Sequence, residues 1–283
     1  AIVLSQPVAG GAHGRLAWRW RGEKVRLALP VYRFDRLVVA VPDPSGAVIR
    51  RGDGDETAVD VQAADAILDF DLLALTAVEL DARQVVAASA GAPPVHLRRL
   101  AFTAHPQVTA DIATDATAGG VVPARPFSVL AEGVTDAAPP DSPLGARIDV
   151  VELAGTLRGP VRDDAPPRQA ARDWRDAGGA LDISRMRLVW GPVRAVATGT
   201  LTLDAALRPF GVLATRVAGY DEAIDALVAR HRMDPDDAGL LKSFLSVLAA
   251  QKGDRNGVPL PLHVQNGRVW LGPKAVADVG PIF

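Results

Sequence analysis

The stretch VRAVATGTLTLD, residues 193–204, changes character at every second position. Val193, Ala195, Ala197, Gly199, Leu201 and Leu203 fall in one register, and Arg194, Thr198, Thr200, Thr202 and Asp204 in the other. Successive side chains of an extended chain point to opposite faces, so this pattern predicts a strand with one apolar and one wet face. The same period returns along most of the chain. KVRLALP puts Val25, Leu27 and Leu29 on one side, and TAVELDARQVVAA sets Val78, Leu80 and Ala82 against Glu79, Asp81 and Arg83. VHLRRLAFTAHP and ARIDVVELAGTLRGP continue the rhythm, while RFDRLVVAVPDPSG ends in a Pro-Asp-Pro-Ser-Gly stretch that reads as a turn. In AVDVQAADAILDFDLL the apolar register changes partway: Ala64 is in phase with Leu68 and Phe70, but so are Asp60 and Gln62. A bulge or bend near Ala63 to Ala66 produces such a switch.

Helical signals are confined to the last 120 residues. Pro166-Pro167 opens a short helix over Arg168 to Asp176, and Gly178-Gly179 stops it. YDEAIDALVARH carries Ile224, Leu227 and Val228 at helical spacing. DPDDAGLLKSFLSVLAAQ starts with Asp234 as cap and Pro235 at the first helical position, and its Leu240, Leu241, Phe244, Leu245, Val247 and Leu248 form a broad apolar face. The short RHRMD link makes these two an antiparallel hairpin, and the strand pattern resumes in VPLPLHVQNGRVWLGP, where Asn266-Gly267 signals a two-residue turn. The expected fold is mainly β with α: long bent antiparallel sheet forming a trough or half-barrel, with a C-terminal helical hairpin packed against it. A two-layer α+β pair of domains is the alternative. The Ala-, Thr-, Gly- and Pro-rich middle suggests a division into an N-terminal β half (1–110), a loop-rich connection with strands (111–165) and a C-terminal sheet with helices (166–283), or one continuous domain.

Composition narrows the function. Hydrophobic residues make up 48% of the 283, net charge is −2 and aromatics are 5%. A sizeable core is available, but neither the basic field nor the stacking platforms of a nucleic-acid binder are present. With no cysteine there is no disulfide, thiolate metal site or cysteine nucleophile. No apolar run reaches the roughly 18 residues that span a bilayer. The chain begins at Ala1, so a signal or membrane anchor removed ahead of it is expected, a trimmed cytosolic fragment being the alternative.

Two strand endings are nearly the same: Arg187 to Trp190 with Gly191-Pro192, and Arg268 to Trp270 with Gly272-Pro273. Read structurally, each Gly-Pro caps or bends a long strand, with the two tryptophans at similar heights. The Trp before Gly-Gly, the Trp-Gly-Pro strand, the Gly-x-Leu-x-Leu-Asp strand with Arg-Pro-x-Gly after it, and the Asn-Gly hairpin together resemble the alphaproteobacterial family called domain of unknown function 2125. That resemblance covers about 120 C-terminal residues. The strand rhythm of the N-terminal half, with LLALTAVEL as a short insertion between strands, is also similar to AsmA-type proteins. There, long curved sheets hold or conduct lipid across the bacterial envelope. These resemblances imply fold and a periplasmic location, with inner-membrane transport partners, but no mechanism.

No residue pattern adds chemistry. The five histidines (His13, His96, His105, His231, His263) form no metal spacing, and the Gly-x-Ser-x-Gly, P-loop and dinucleotide fingerprints are absent. RRGDGDE at 50–56 reads as a solvated turn ahead of a calcium loop, and Asp69 and Asp71 as a wet strand face. No catalysis, cofactor or metal is expected. The favoured function is a periplasmic carrier of a hydrophobic molecule such as a lipid. An envelope scaffold acting by strand addition is the alternative, and a hydrolase the least favoured reading. The expected apolar lining is Leu188, Trp190, Val193, Ala195, Ala197, Leu201, Leu203, Ile224, Leu227, Phe244, Leu248 and Trp270. Its small residues leave either a cavity or a packed core, and Ala197→Trp distinguishes them: it blocks ligand in the first case and overpacks in the second.

Overall fold

Every strand pairs antiparallel with the strands beside it, and the result is one 17-stranded sheet. The computed structural model describes all residues except 14–15, 51–54, 72–73, 106–122, 139–140, 163–164, 253–256, 272–273 and 283. The elements in order are β1 (Ile2–Ser5), β2 (Val8–His13), β3 (Leu16–Gly22), β4 (Lys24–Ala28), β5 (Arg36–Val41), β6 (Ser45–Arg50), β7 (Glu56–Asp71), β8 (Ala74–Ser89), β9 (Val95–Ala104), β10 (Ala124–Thr135) and β11 (Arg147–Arg158). Then follow α1 (Pro167–Asp176), β12 (Ala180–Trp190), β13 (Val193–Leu203), β14 (Pro209–Ala218), α2 (Tyr220–Ala229), α3 (Pro235–Lys252), β15 (Val258–Gln265), β16 (Arg268–Leu271) and β17 (Lys274–Asp278). From β7 to β17 each strand pairs with the next, and the helices interrupt the chain without altering that order. Before β7 the short strands lie end to end: β5 and β6 share the length of β7, β4 and β3 continue outward, and β1 and β2 form the free edge.

These breaks line up. Between Val41↔Ala64 and Ser45↔Val61 the pairing along β7 is interrupted, and the same height is skipped between Ala63↔Arg83 and Val61↔Val85. The line continues between Arg83↔Arg99 and Val85↔Leu97, then through Gly133 on β10, and ends in a register shift between Ile148 and Val150 on β11. Gln6, Gln84 and Gly133 on this line all have positive φ, at 50°, 49° and 62°. The alternation inverts there: Ala82 and Val85 are both buried while Arg83 and Gln84 between them are exposed. Such a row of bulges bends each strand while keeping the apolar side chains of both halves on one face. The register switch expected near Ala63 to Ala66 is part of this crease, at Gln62 and Ala63.

Burial is slight for a chain of this length. Among the described residues only two hydrophobic side chains, Leu207 and Val258, are fully buried. One cluster joins Ile224, Ala238 and Leu245 of the helical hairpin to Val258 and Leu260, and a second joins Ile183, Ala197 and Leu213. Strands β1 to β10 have no substantial contact with any element except their hydrogen-bonded neighbours. This half of the sheet is a single layer.

Several expectations are corrected. Pro-Asp-Pro-Ser-Gly does not reverse the chain: β5 and β6 run in the same direction along β7, and Pro42 and Pro44, which lack ladder donors, fall where the ladder is interrupted. The strands expected within the 111–165 connection are β10 and β11, and β10 pairs with both β9 and β11. The LLALTAVEL insertion contributes residues from Ala74 onward to β8. Gly191-Pro192 forms the two-residue turn between Trp190 and Val193, whereas Gly272-Pro273 lies outside the described residues. The tryptophans are not level: Trp270 is aligned through His263, Val212 and Thr200 with Asp182, at the other end of β12 from Trp190.

Gly133 tests the crease. A Cβ there would lie 3.0 Å from the Arg98 Cβ at a φ of 62°. We expect Gly133→Val to lower stability by roughly 1–3 kcal/mol, read as a drop in the urea midpoint. An unchanged midpoint would mean that the crease places no such demand on this position.

Candidate functional site

Directly opposed residues of antiparallel strands share a face, so the pairing registers trace rows across the sheet. One row reads Ile2, Leu27, Val39, Ala66, Leu80, Phe102, Val129, Leu153, Met186, Ala197, Thr215 and Leu260. Two residues along, on the same face, the row is Val41, Ala64, Ala82, Leu100, Ala131, Val151, Leu188, Ala195, Val217 and Val258. On the other side it is Leu37, Leu68, Val78, Ala104, Phe127, Gly155, Ile183, Gly199, Leu213, Leu262 and Leu271. Thr215 is the one polar residue in all three rows, and its buried hydroxyl has no partner. With strands about 4.8 Å apart, the stripe is roughly 50 Å long and about 14 Å wide.

Its cover is uneven. At the β14 and β15 end the helical hairpin packs on it through Ile224 and Leu245. Over β1 to β10 no element lies on it among the described residues, and Leu80, Phe102 and Val129 remain partly exposed. The loop between β4 and β5 continues the apolar surface at one end of these strands: Leu29, Val31, Tyr32 and Phe34 are 60%, 73%, 94% and 83% exposed.

The opposite face is charged and internally paired. Asp65 stands opposite Asp81, and Arg83 opposite Arg99 one row on. The like charges are relieved diagonally, Arg83 to Asp65 at 2.8 Å and Arg99 to Asp81 at 2.6 Å. Arg36 grips Asp69 with two bonds of 2.7 Å, Arg187 reaches Glu152 at 2.9 Å, and Arg158 meets Asp182 at 2.6 Å. Hydrogen bonds from Arg36 and Arg99 hold the carboxyls of Asp69 and Asp81 below the usual carboxylate range. A hollow of about 1140 Å³ over Glu152, Arg185, Arg187, Thr198 and Arg216 also lies largely on this face. His96 Nδ1 lies 3.0 Å from Asp136, so its partner is a carboxylate and not His105.

Placed on this frame, the expected lining divides. Leu188, Ala195, Ala197, Leu201 and Leu203 share the apolar face, as do Val193 and, paired with it, Trp190 at the edge of the stripe. Ile224 and Leu248 belong to the hairpin's core cluster, and Leu227 lies half-buried on α2. Phe244 is turned away: it is 63% exposed, with Leu240 and Val247 beside it, because α3 buries Ala238 and Leu245 instead. Trp270 is on the charged face, opposite His263, whose neighbours Leu262 and Val264 face the other way. Sequence reasoning took the lining from the C-terminal strands and missed the open part, Val39, Leu80, Phe102, Val129 and Leu153. Their alternation was visible, but only pairing aligns them into a row.

The model for the family described as "Uncharacterized protein conserved in bacteria (DUF2125)" matches residues 4–280. The match includes the N-terminal half, well beyond the C-terminal third that carries the motifs. No curated protein and no solved structure matches, and the AsmA-type likeness gains no support.

Two outcomes follow. Ala197 is 6% exposed and packed between Ile183 and Leu213, so Ala197→Trp should destabilise by roughly 1–3 kcal/mol through overpacking, a melting shift being the readout. For Asp69 and Asp81 the folded-state pKa is depressed, so their contribution is present above the unfolded value and is lost as pH falls through the folded one. Urea midpoints should therefore drop below about pH 4, and the drop should be smaller in Asp81→Asn.

Proposed function

This chain belongs to the DUF2125 family of bacterial proteins, and we propose that it binds and carries a hydrophobic ligand, a lipid, in the cell envelope. The observation that supports this reading is the uncovered part of the apolar stripe. Water against a face of this kind is unfavourable by about 25 cal/mol per Å² of apolar surface. Contiguous apolar patches of more than a few hundred Å² mark interaction sites. A stripe about 14 Å wide suits aliphatic chains laid side by side. Each methylene buried there contributes about 0.8 kcal/mol, so ten supply roughly 8 kcal/mol before association costs. Binding is favoured over catalysis because the charged groups of the other face are engaged with one another. A periplasmic location and exchange with inner-membrane transport partners are part of the proposal, and the exposed loop Leu29 to Phe34 suits contact with a lipid surface.

One feature favours a second reading, a scaffold acting by strand addition. The edge formed by β1 and β2 is open on its outer side, with Ile2, Val3, Leu4 and Val8 41–65% exposed.

Native mass spectrometry of the purified protein with extracted membrane lipids tests the carrier reading. We expect bound lipid in the wild type and at least a tenfold loss in Leu80→Glu with Phe102→Asp, which places charge in the open stripe. Bare wild-type protein, under conditions that preserve a known lipid carrier's complex, would leave the scaffold ahead.

A further inference from the structure

α1 packs against the sheet by one residue. Trp174 is 7% exposed, its Nε1 donates to the Arg158 carbonyl at 2.7 Å, and its indole fills the space that a side chain at position 179 would need. Pro167, Ala170, Ala171 and Trp174 repeat at helical spacing and face β11 to β13. Three of these four side chains are short, so between α1 and the strands there remains a cleft of about 370 Å³. Its floor is Leu157, Leu181, Leu201 and Leu203, on the same face as the stripe.

The side chains of the cleft leave a ligand no free hydrogen-bond donor. Only Trp174 and Thr202 among its lining residues carry polar side-chain atoms, and both donate to backbone carbonyls, Thr202 to Gly179 at 2.7 Å. An occupant must therefore be apolar along the buried length. At about 30 Å³ for a water-sized group, the volume takes roughly a dozen methylenes. Arg168, next to Ala171 on the helix surface, borders the apolar face of α1, whereas Arg172, one turn on, lies nearly opposite that face. Both are exposed, and among the described residues neither has a hydrogen bond or ion pair. Charge at that flank complements an anionic head.

We propose that this cleft is a discrete binding site for one unbranched aliphatic chain with an anionic head, Arg168 meeting the head. The inference rests on the carrier reading and gives it a defined seat beside the open stripe.

The test uses chains brominated near the methyl end, because bromine quenches only indole that it touches. The probes are a brominated fatty acid, its methyl ester and a brominated lysophosphatidate. Saturable quenching is expected in the wild type, with most of it gone in Trp174→Phe. In Ala170→Phe, which places a ring in the cleft, binding should weaken at least tenfold, with far-UV circular dichroism unchanged. Tighter binding of either anionic probe than of the ester, lost in Arg168→Ala, supports the head assignment, and the better of the two names its source. Binding with quenching that survives both Trp174→Phe and Ala170→Phe would put the chain elsewhere on the stripe: the cleft site falls and the carrier reading stands. No binding of any probe, together with bare protein in the lipid extract, overturns both.

Discussion

The antiparallel hydrogen-bond ladder between consecutive strands is what the rest of this structure depends on. Among the described residues no second layer stands over β1 to β10, so these strands are held by their backbone pairs and by contacts between side chains in opposed registers. Cross-strand pairs supply roughly 0.2–1 kcal/mol each, which makes their number and not any single contact decisive. Register is the critical variable: a slip of one residue would turn every apolar side chain onto the charged face. The diagonal pairs Arg83 to Asp65 and Arg99 to Asp81 oppose such a slip, since a one-residue shift carries the partners onto opposite faces and breaks both pairs.

The two faces have different physical roles. On one, formal charges meet at hydrogen-bond distance and keep the surface wet. On the other, three successive rows hold apolar residues with Thr215 as the exception, and the helices cover only the C-terminal part. The remaining rows are as uniform, although among the described residues no helix packs on them and side chains such as Leu80 and Phe102 stay partly exposed. That uniformity is the argument for a ligand.

Much of this could be read from the chain. Period 2 identified the strands, Val193 to Leu203 showed its face, and Asn266-Gly267 marked a turn in which both residues have positive φ, 53° and 73°. Arg168 to Asp176 was legible because Pro and Gly-Gly bound it on both sides. The crease was only half legible. The switch in β7 shows in its own residues, but Gln84 enters the left-handed region because of its neighbours across the ladder, and no local residue signals that. α3 misled because apolar residues nearly surround it, so its sequence does not choose which side is buried. The side of Trp270 was available by counting: a two-residue turn after Gln265 sets position 270 against His263, out of phase with Leu262 and Val264. The rows themselves follow only from which strands are neighbours.

The meander has a consequence for growth. From β7 to β17 each strand answers to the strands before and after it, so a hairpin added or removed there changes the sheet by two strands, about 9.6 Å, and leaves the other registers as they were. The length of the stripe is therefore an adjustable dimension, set by the number of hairpins and not by a closed geometry such as a barrel imposes. Such a ruler can be lengthened or shortened one hairpin at a time between β7 and β10, with the α1 cleft and the helical hairpin left in place on the C-terminal strands.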